Sequence, residues 1–105
     1  MYGTMKMNAV RNRIRKANEA VAANPESFLR HLLPNGRQRG REWVAINPRR
    51  VDGRLGSFKV NMKSGKWADF ARDDRGGDFV SLCAYIKGIK QGEAAREIIN
   101  QFGGL

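Results

Sequence analysis

The hydrophobic pattern of this chain changes period twice, and no other feature of the sequence limits the fold as much. Met7, Val10, Ile14, Ala17 and Val21 recur at intervals of three and four, the spacing of one helix face. Residues 5–22 are therefore expected to form an amphipathic helix whose apolar stripe needs a partner surface, on the domain or on a second copy. Asn24-Pro25-Glu26 restarts a helix, with Asn as N-cap and Pro in the first turn. Phe28, Leu29, Leu32 and Leu33 form its buried side until Pro34-Asn35-Gly36 ends it. Residues 1–34 thus read as a helical hairpin. From Arg41 the period drops to two: Trp43 and Ala45 alternate with Val44 and Ile46, and Phe58, Val60 and Met62 with Ser57, Lys59 and Asn61. Trp67-Ala68-Asp69-Phe70 continues in the same mode. Three strands are the economical reading, the last two joined through residues 62–66 as an antiparallel hairpin.

The helical period returns after Asp78, a good N-cap for a helix that buries Phe79, Val80, Leu82, Cys83 and Ile86 and closes at Gly88. A last helix over 92–102 buries Ala94, Ala95, Ile98, Ile99 and Phe102. The expected class is α+β: a small antiparallel sheet flanked by N-terminal and C-terminal helices, with residues 35–105 as the sheet-bearing domain. One Cys and one His in 105 residues exclude an intramolecular disulfide framework and a zinc site built from four Cys and His ligands. No apolar run approaches the ~18 residues that span a bilayer, and the N-terminus has no signal-peptide apolar core. A cytoplasmic location is expected, without a membrane partner.

The chain carries 20 Lys and Arg against 10 Asp and Glu, a net charge of +10. The excess is concentrated in residues 1–55, where 12 basic and 4 acidic side chains leave +8, whereas 56–105 hold 8 and 6, leaving +2. Thirteen of the cations are Arg, whose guanidinium forks onto phosphate and stacks on bases, while a face kept merely soluble could be built from Lys and Glu. Nucleic acid is the expected partner. Arg37, Arg39, Arg41, Arg49, Arg50 and Arg54 fall within 18 residues that hold two acids, Glu42 and Asp52. Several of them could instead cap carbonyls or pair with Asp69, Asp73 and Asp74. Lys59, Lys63 and Lys66 extend the patch if the sheet turns that face to solvent. Phe58 and Phe70 are expected in the core. Trp67, at a strand start after Gly65-Lys66, either packs in the core or, if exposed, stacks on a base as part of the nucleic-acid surface.

Four spaced segments carry a resemblance: Arg-Glu-Trp-Val-Ala-Ile-Asn-Pro at 41–48, Gly-Ser-Phe-Lys-Val-Asn at 56–61, Gly-Lys-Trp-Ala-Asp-Phe at 65–70 and Gly-Gly-Asp-Phe-Val-Ser-Leu at 76–82. Over residues 28–102 the chain resembles the N-terminal zinc-ribbon domain of bacterial and phage DNA primases. The resemblance puts that family's zinc ligands at Asn47, Arg50, Asp69 and Arg72, none of which is Cys or His. It therefore implies a metal-free relative with no cofactor, in which Arg50 or Arg72 pairs with Asp69 where the ion would sit. It also implies a role in replication or priming of a phage, plasmid or integrated element, with single-stranded DNA as the favoured ligand.

Catalysis has little support in the sequence. Asp69, Asp73, Asp74 and Asp78 are interleaved with Arg72 and Arg75, which is poor design for a magnesium site. Cys83 falls mid-helix on an apolar face, and His31 stands beside leucines with no second His or Cys nearby. Gly76-Gly77 before a helix could receive a phosphate, but Asp78 at the cap would occupy those donors and repel an anion. A non-catalytic nucleic-acid-binding module is the first expectation. The alternative is a protein-interaction adaptor or inhibitor that docks on a replication or other host protein, or dimerises, through residues 5–22.

Overall fold

The computed structural model describes residues 2–49 and 56–103, with backbone alone for Tyr2–Lys6. The element order is α1 (Tyr2–Ala23), α2 (Pro25–Leu32), β1 (Arg37–Arg39), β2 (Glu42–Ala45), β3 (Phe58–Asn61), β4 (Trp67–Asp69), β5 (Asp74–Gly76), α3 (Phe79–Lys87) and α4 (Gln91–Phe102). The class is α+β. The strands form one antiparallel sheet in the order β1-β2-β3-β4-β5. Alternation gave three strands and the structure has five. The additional two, Arg-Gln-Arg and Asp-Arg-Gly, sit at the sheet edges and carry no apolar period. Backbone pairing and tight turns make them: β1 reaches β2 through Gly40-Arg41, where Gly40 has φ +60, the left-handed region such a two-residue hairpin loop requires.

The register sorts the side chains. Trp43, Val60 and Trp67 lie opposite one another, as do Ala45, Phe58 and Asp69. Residues directly opposite share a face, so these six line the same side. It is the core side: Trp43, Val60, Phe58 and Trp67 are buried together with Phe28, Leu29 and Leu33 of the α2 region and with Phe79, Val80 and Leu82 of α3. Each indole lies flat against a glycine, Trp43 over Gly36 and Trp67 over Gly76, positions where any Cβ would strike the ring. Each N–H is satisfied, Trp43 Nε1 donating to the Leu33 carbonyl at 3.1 Å and Trp67 Nε1 to Ser81 Oγ at 3.0 Å. A buried indole with an unmet donor would cost ~1–3 kcal/mol, so these acceptors fix the ring orientations.

α1 packs chiefly on α4 rather than pairing with α2 as a hairpin. Ala94 and Ala95 are fully buried there, and such short side chains let helix backbones approach. The stripe expected on α1 is covered within the chain from Ile14 to Val21: Ala17 and Val21 are buried, Ile14 packs against the core, and Met7 stays 56% exposed. Residues 1–34 and 35–105 therefore share one core. Asn18 fastens α1 to α3: its Nδ2 donates to Asp78 Oδ2 at 3.0 Å and its Oδ1 accepts the Val80 N–H at 3.1 Å. Asp78 and Ser81 form a capping box on the same turn. The N-terminal donors of α3 are thus occupied from both sides, which leaves Gly76-Gly77 no anion to receive. No helix among the described residues is long and apolar enough to cross a membrane.

Because the stripe of α1 is covered in cis, Ile14→Asp should lower the chain's own stability by about 2–4 kcal/mol, the cost of losing a packed side chain and desolvating a charge. Urea denaturation followed by circular dichroism reads this as a lower midpoint.

Candidate functional site

Among the described residues the face of the sheet turned away from the helices is the open one. Arg37, Val44, Lys59, Ala68 and Arg75 are consecutive partners across all five strands. Arg39, Glu42 and Asn61 form the next row. Lys66 lies on the same side, one residue before inward-facing Trp67. With strands about 4.8 Å apart, the row from Arg37 to Arg75 spans roughly 19 Å. Val44 is 2% exposed but stands outside the core cluster, flanked in register by Arg37 and Lys59. Among the described residues five cations, Arg37, Arg39, Lys59, Lys66 and Arg75, share this face with one acid, Glu42. Among the described residues the ion pairs join Arg30 to Glu26, Arg72 to Asp74 and Lys87 to Glu97, so none neutralises a cation of this face.

Phe70 stands on the same face and is 71% exposed. Its N–H donates to the Ser57 carbonyl at 2.9 Å, which prolongs the β3–β4 pairing by one residue and keeps Phe70 in the strand alternation. Lys59 Nζ lies 5.8 Å from the Phe70 ring centroid, within cation–π range. A shallow depression of about 200 Å³ runs from the ring across Lys59 and Ala68 to Asn61, Lys66 and Glu42. An exposed aromatic face bordered by cations can take a flat, π-bearing group and the anionic chain attached to it.

The sequence offered Trp67 as core or stacking aromatic and expected Phe70 in the core; the structure buries Trp67 and exposes Phe70. Trp67 is 5% exposed, with ring centroids 5.8 Å from Phe58 and 4.6 Å from Tyr85, so it has no face free for a ligand. Phe58 is fully buried, as expected. The signal was present in the sequence: with Trp67 inward, period two sends Ala68 and Phe70 outward. Arg37, Arg39, Lys59 and Lys66 come together as expected, and Arg75, which the sequence reading left out, joins them. Arg41 and Lys63 sit in the turns at one end of the sheet, beside a groove shared with Ala22 and Pro25 on the helical side. They are at the rim. Arg49 is directed elsewhere: its guanidinium lies 5.8 Å from the centroid of Tyr85 on α3, so it packs on the core side of the sheet. Arg50 and Arg54 lie outside the described residues.

Asn47 and Asp69, two of the four positions singled out by the zinc-ribbon resemblance, are fully buried and in contact. Asn47 Nδ2 donates to Asp69 Oδ2 at 2.8 Å and lies 2.8 Å from the Tyr85 hydroxyl, while Asn47 Oδ1 accepts the Arg49 N–H at 2.8 Å. The Tyr85 hydroxyl donates to Asp74 Oδ2 at 2.7 Å, and Asp69 Oδ1 accepts the Ala71 N–H at 3.0 Å. Burial pushes the Tyr85 pKa above the usual phenol range, the Asn47 amide opposes this and Asp74 adds to it, so the hydroxyl stays protonated and donates. The expected pairing of Arg72 with Asp69 is not how Arg72 is held: its guanidinium reaches toward Asp74, at 3.6 Å, and its backbone N–H donates to the Asp69 carbonyl. The sharp β4–β5 turn, with Asp73 at φ +62, directs that side chain outward. No family model, curated protein or solved structure matches this chain.

The buried pair is a structural tie between the end of β2 and the end of β4. Asn47→Ala removes hydrogen bonds to a buried carboxylate, to Tyr85 and to the Arg49 backbone, and should cost about 2–4 kcal/mol in equilibrium denaturation. It should leave the open face unaltered.

Proposed function

We propose that this chain is a non-catalytic nucleic-acid-binding module whose open sheet face holds single-stranded DNA. The observation that carries the reading is Phe70, 71% exposed on a face with five cations and one acid. The backbone of a single strand tracks across Arg37, Arg39, Lys59, Lys66 and Arg75, and one base stacks on the Phe70 ring. A sheet that offers an aromatic among cations suits unpaired bases, which expose a π-face, whereas a duplex hides its own. The resemblance of residues 28–102 to primase zinc ribbons supports placing the module in replication or priming of a phage, plasmid or integrated element, as a relative that works without zinc.

Binding of a fluorescent oligothymidylate, followed by anisotropy across a salt series, tests this. Neutralising about four phosphates gives a slope of log K against log salt near −3, and Arg75→Ala should flatten it by ~0.7. Phe70→Ala should lose ~1–3 kcal/mol at every salt concentration, because stacking is not a counterion effect. Unchanged affinity in Phe70→Ala would sink the stacking reading. No binding at ~50 mM salt, where counterion release favours a complex most, would leave the protein-adaptor reading. Its candidate surface is the apolar groove beside exposed Ile46, lined by Leu32, Leu33, Pro34 and Ile86.

A further inference from the structure

α1 carries a second cationic surface that the sheet face does not use. Residues 1–18 hold five cations, Lys6, Arg11, Arg13, Arg15 and Lys16, and the first acid of the chain is Glu19. Arg11, Arg15 and Lys16 are exposed, with Asn8 and Asn12 exposed between them. Among the described residues the side-chain contact they make is between Arg15 and Asn12, at 3.5 Å, and none of the ion pairs there includes them. Arg30 and Lys87, by contrast, each hold a glutamate at 2.7 Å.

Helix stability does not account for this arrangement. The helix macrodipole favours acids near the N-terminus and cations near the C-terminus. α1 has no acid in its first turn and no base in its last, and its cations gather in the N-terminal two thirds. A membrane surface does not account for it either. Interfacial helices need a free apolar face to insert, and here Ile14, Ala17 and Val21 are packed against the core of the domain. What remains outward is chiefly Arg, Lys and Asn, with Met7 and Ala9 near the N-terminal end, Glu19 near the other and no aromatic among the described side chains, and so with nothing on which an unpaired base could stack.

We propose that the outward face of α1 is a duplex-DNA site, seated in the major groove with Arg11, Asn12, Arg15 and Lys16 toward the DNA. A helix about 10–12 Å across fits a groove about 12 Å wide. Arg and Lys meet phosphates or guanine edges, and Asn meets adenine edges, from one helix face. At 22 residues α1 is about 33 Å long, a rod with room for several groove contacts. The A-form major groove of double-stranded RNA is too deep and narrow for side chains to read. This site is independent of the sheet reading, and together the two surfaces would suit a junction between duplex and single strand.

The test uses the whole chain with three probes: a 20-base-pair DNA duplex, the RNA duplex of the same sequence and an oligothymidylate. Arg11→Gln, Arg15→Gln and Lys16→Gln combined should weaken DNA-duplex binding at least tenfold and flatten its salt slope by ~2.7, three phosphates' worth, while oligothymidylate binding stays as it was. The same triple variant should keep its helix content and melting temperature, because the charges it removes are exposed, lie mid-helix and make no ion pair among the described residues, and Gln is about as good a helix former as Arg or Lys. Phe70→Ala should do the reverse, weakening oligothymidylate and sparing the DNA duplex, so failure of the helix site and failure of the sheet site read out separately. Duplex binding unchanged in the triple variant would overturn the proposal, as would an equal loss on all three probes or RNA duplex bound as tightly as DNA.

Discussion

The helices of this domain cover one face of the sheet, and most of the structure follows from that one-sidedness. Trp43, Phe58, Val60 and Trp67 all point to the covered side because the register of β2, β3 and β4 aligns them. Two indoles on so small a sheet need flat ground and an acceptor each, and Gly36 with Leu33 and Gly76 with Ser81 provide them. Moving the register by one residue would turn both indoles to water and bring Lys59 and Phe70 inward. The same hydrophobic demand that builds the core therefore leaves the opposite face to residues chosen on other grounds.

At the corner of the sheet the chain uses polar chemistry instead. Asn47, Asp69, Tyr85 and Asp74 join the end of β2, both ends of the β4–β5 turn and α3 through hydrogen bonds of 2.7–2.8 Å. A hydrogen-bonded cluster supplies only a few kcal/mol. Apolar burial has to supply the rest. The layer of α1 on α4, with Ala17, Ala94 and Ala95 at its seam, adds buried surface beyond what the sheet and α3 make. The cluster then contributes orientation more than energy, because each member is held by a named hydrogen-bond partner.

The four helices were legible in the sequence to within a few residues at their ends, since a stripe at three-four spacing bounded by Asn24, Asp78 and Gly88 leaves little choice. The β3–β4 hairpin was legible for the same reason, with Asn61 closing its turn onto the N–H groups of Lys63 and Ser64. β1 and β5 were not, because three polar residues at a sheet edge are made by their neighbours' pairing rather than by their own pattern. The helix partner of α1 was not legible either: a stripe announces that it will be buried, and nothing in its spacing says against what. Among the candidate site residues, Arg37, Arg39, Lys59 and Lys66 shared a face as strand alternation requires. Trp67 and Phe70 are three residues apart and cannot both lie on one side of a strand, so the burial of the indole sends the ring of Phe70 outward.

Exposed charges place little demand on stability, and this makes their positions informative. Cations a strand apart repel across about 4.8 Å, inside the ~8 Å screening length of physiological salt, yet in high dielectric such pairs exchange only tenths of a kcal/mol. Glu42, next to Arg39 and near Lys66, relieves part of that repulsion and no more. A fold held by its indoles, its aromatic contacts and its buried amide–carboxylate tie tolerates such a face without needing it. The same holds on α1, where Glu19 is the one acid of the helix and no ion pair among the described residues holds Arg11, Arg15 or Lys16. Charges that neither the core nor the helices ask for, repeated on two separate surfaces with the same sign, are the feature on which the proposed anionic partner rests.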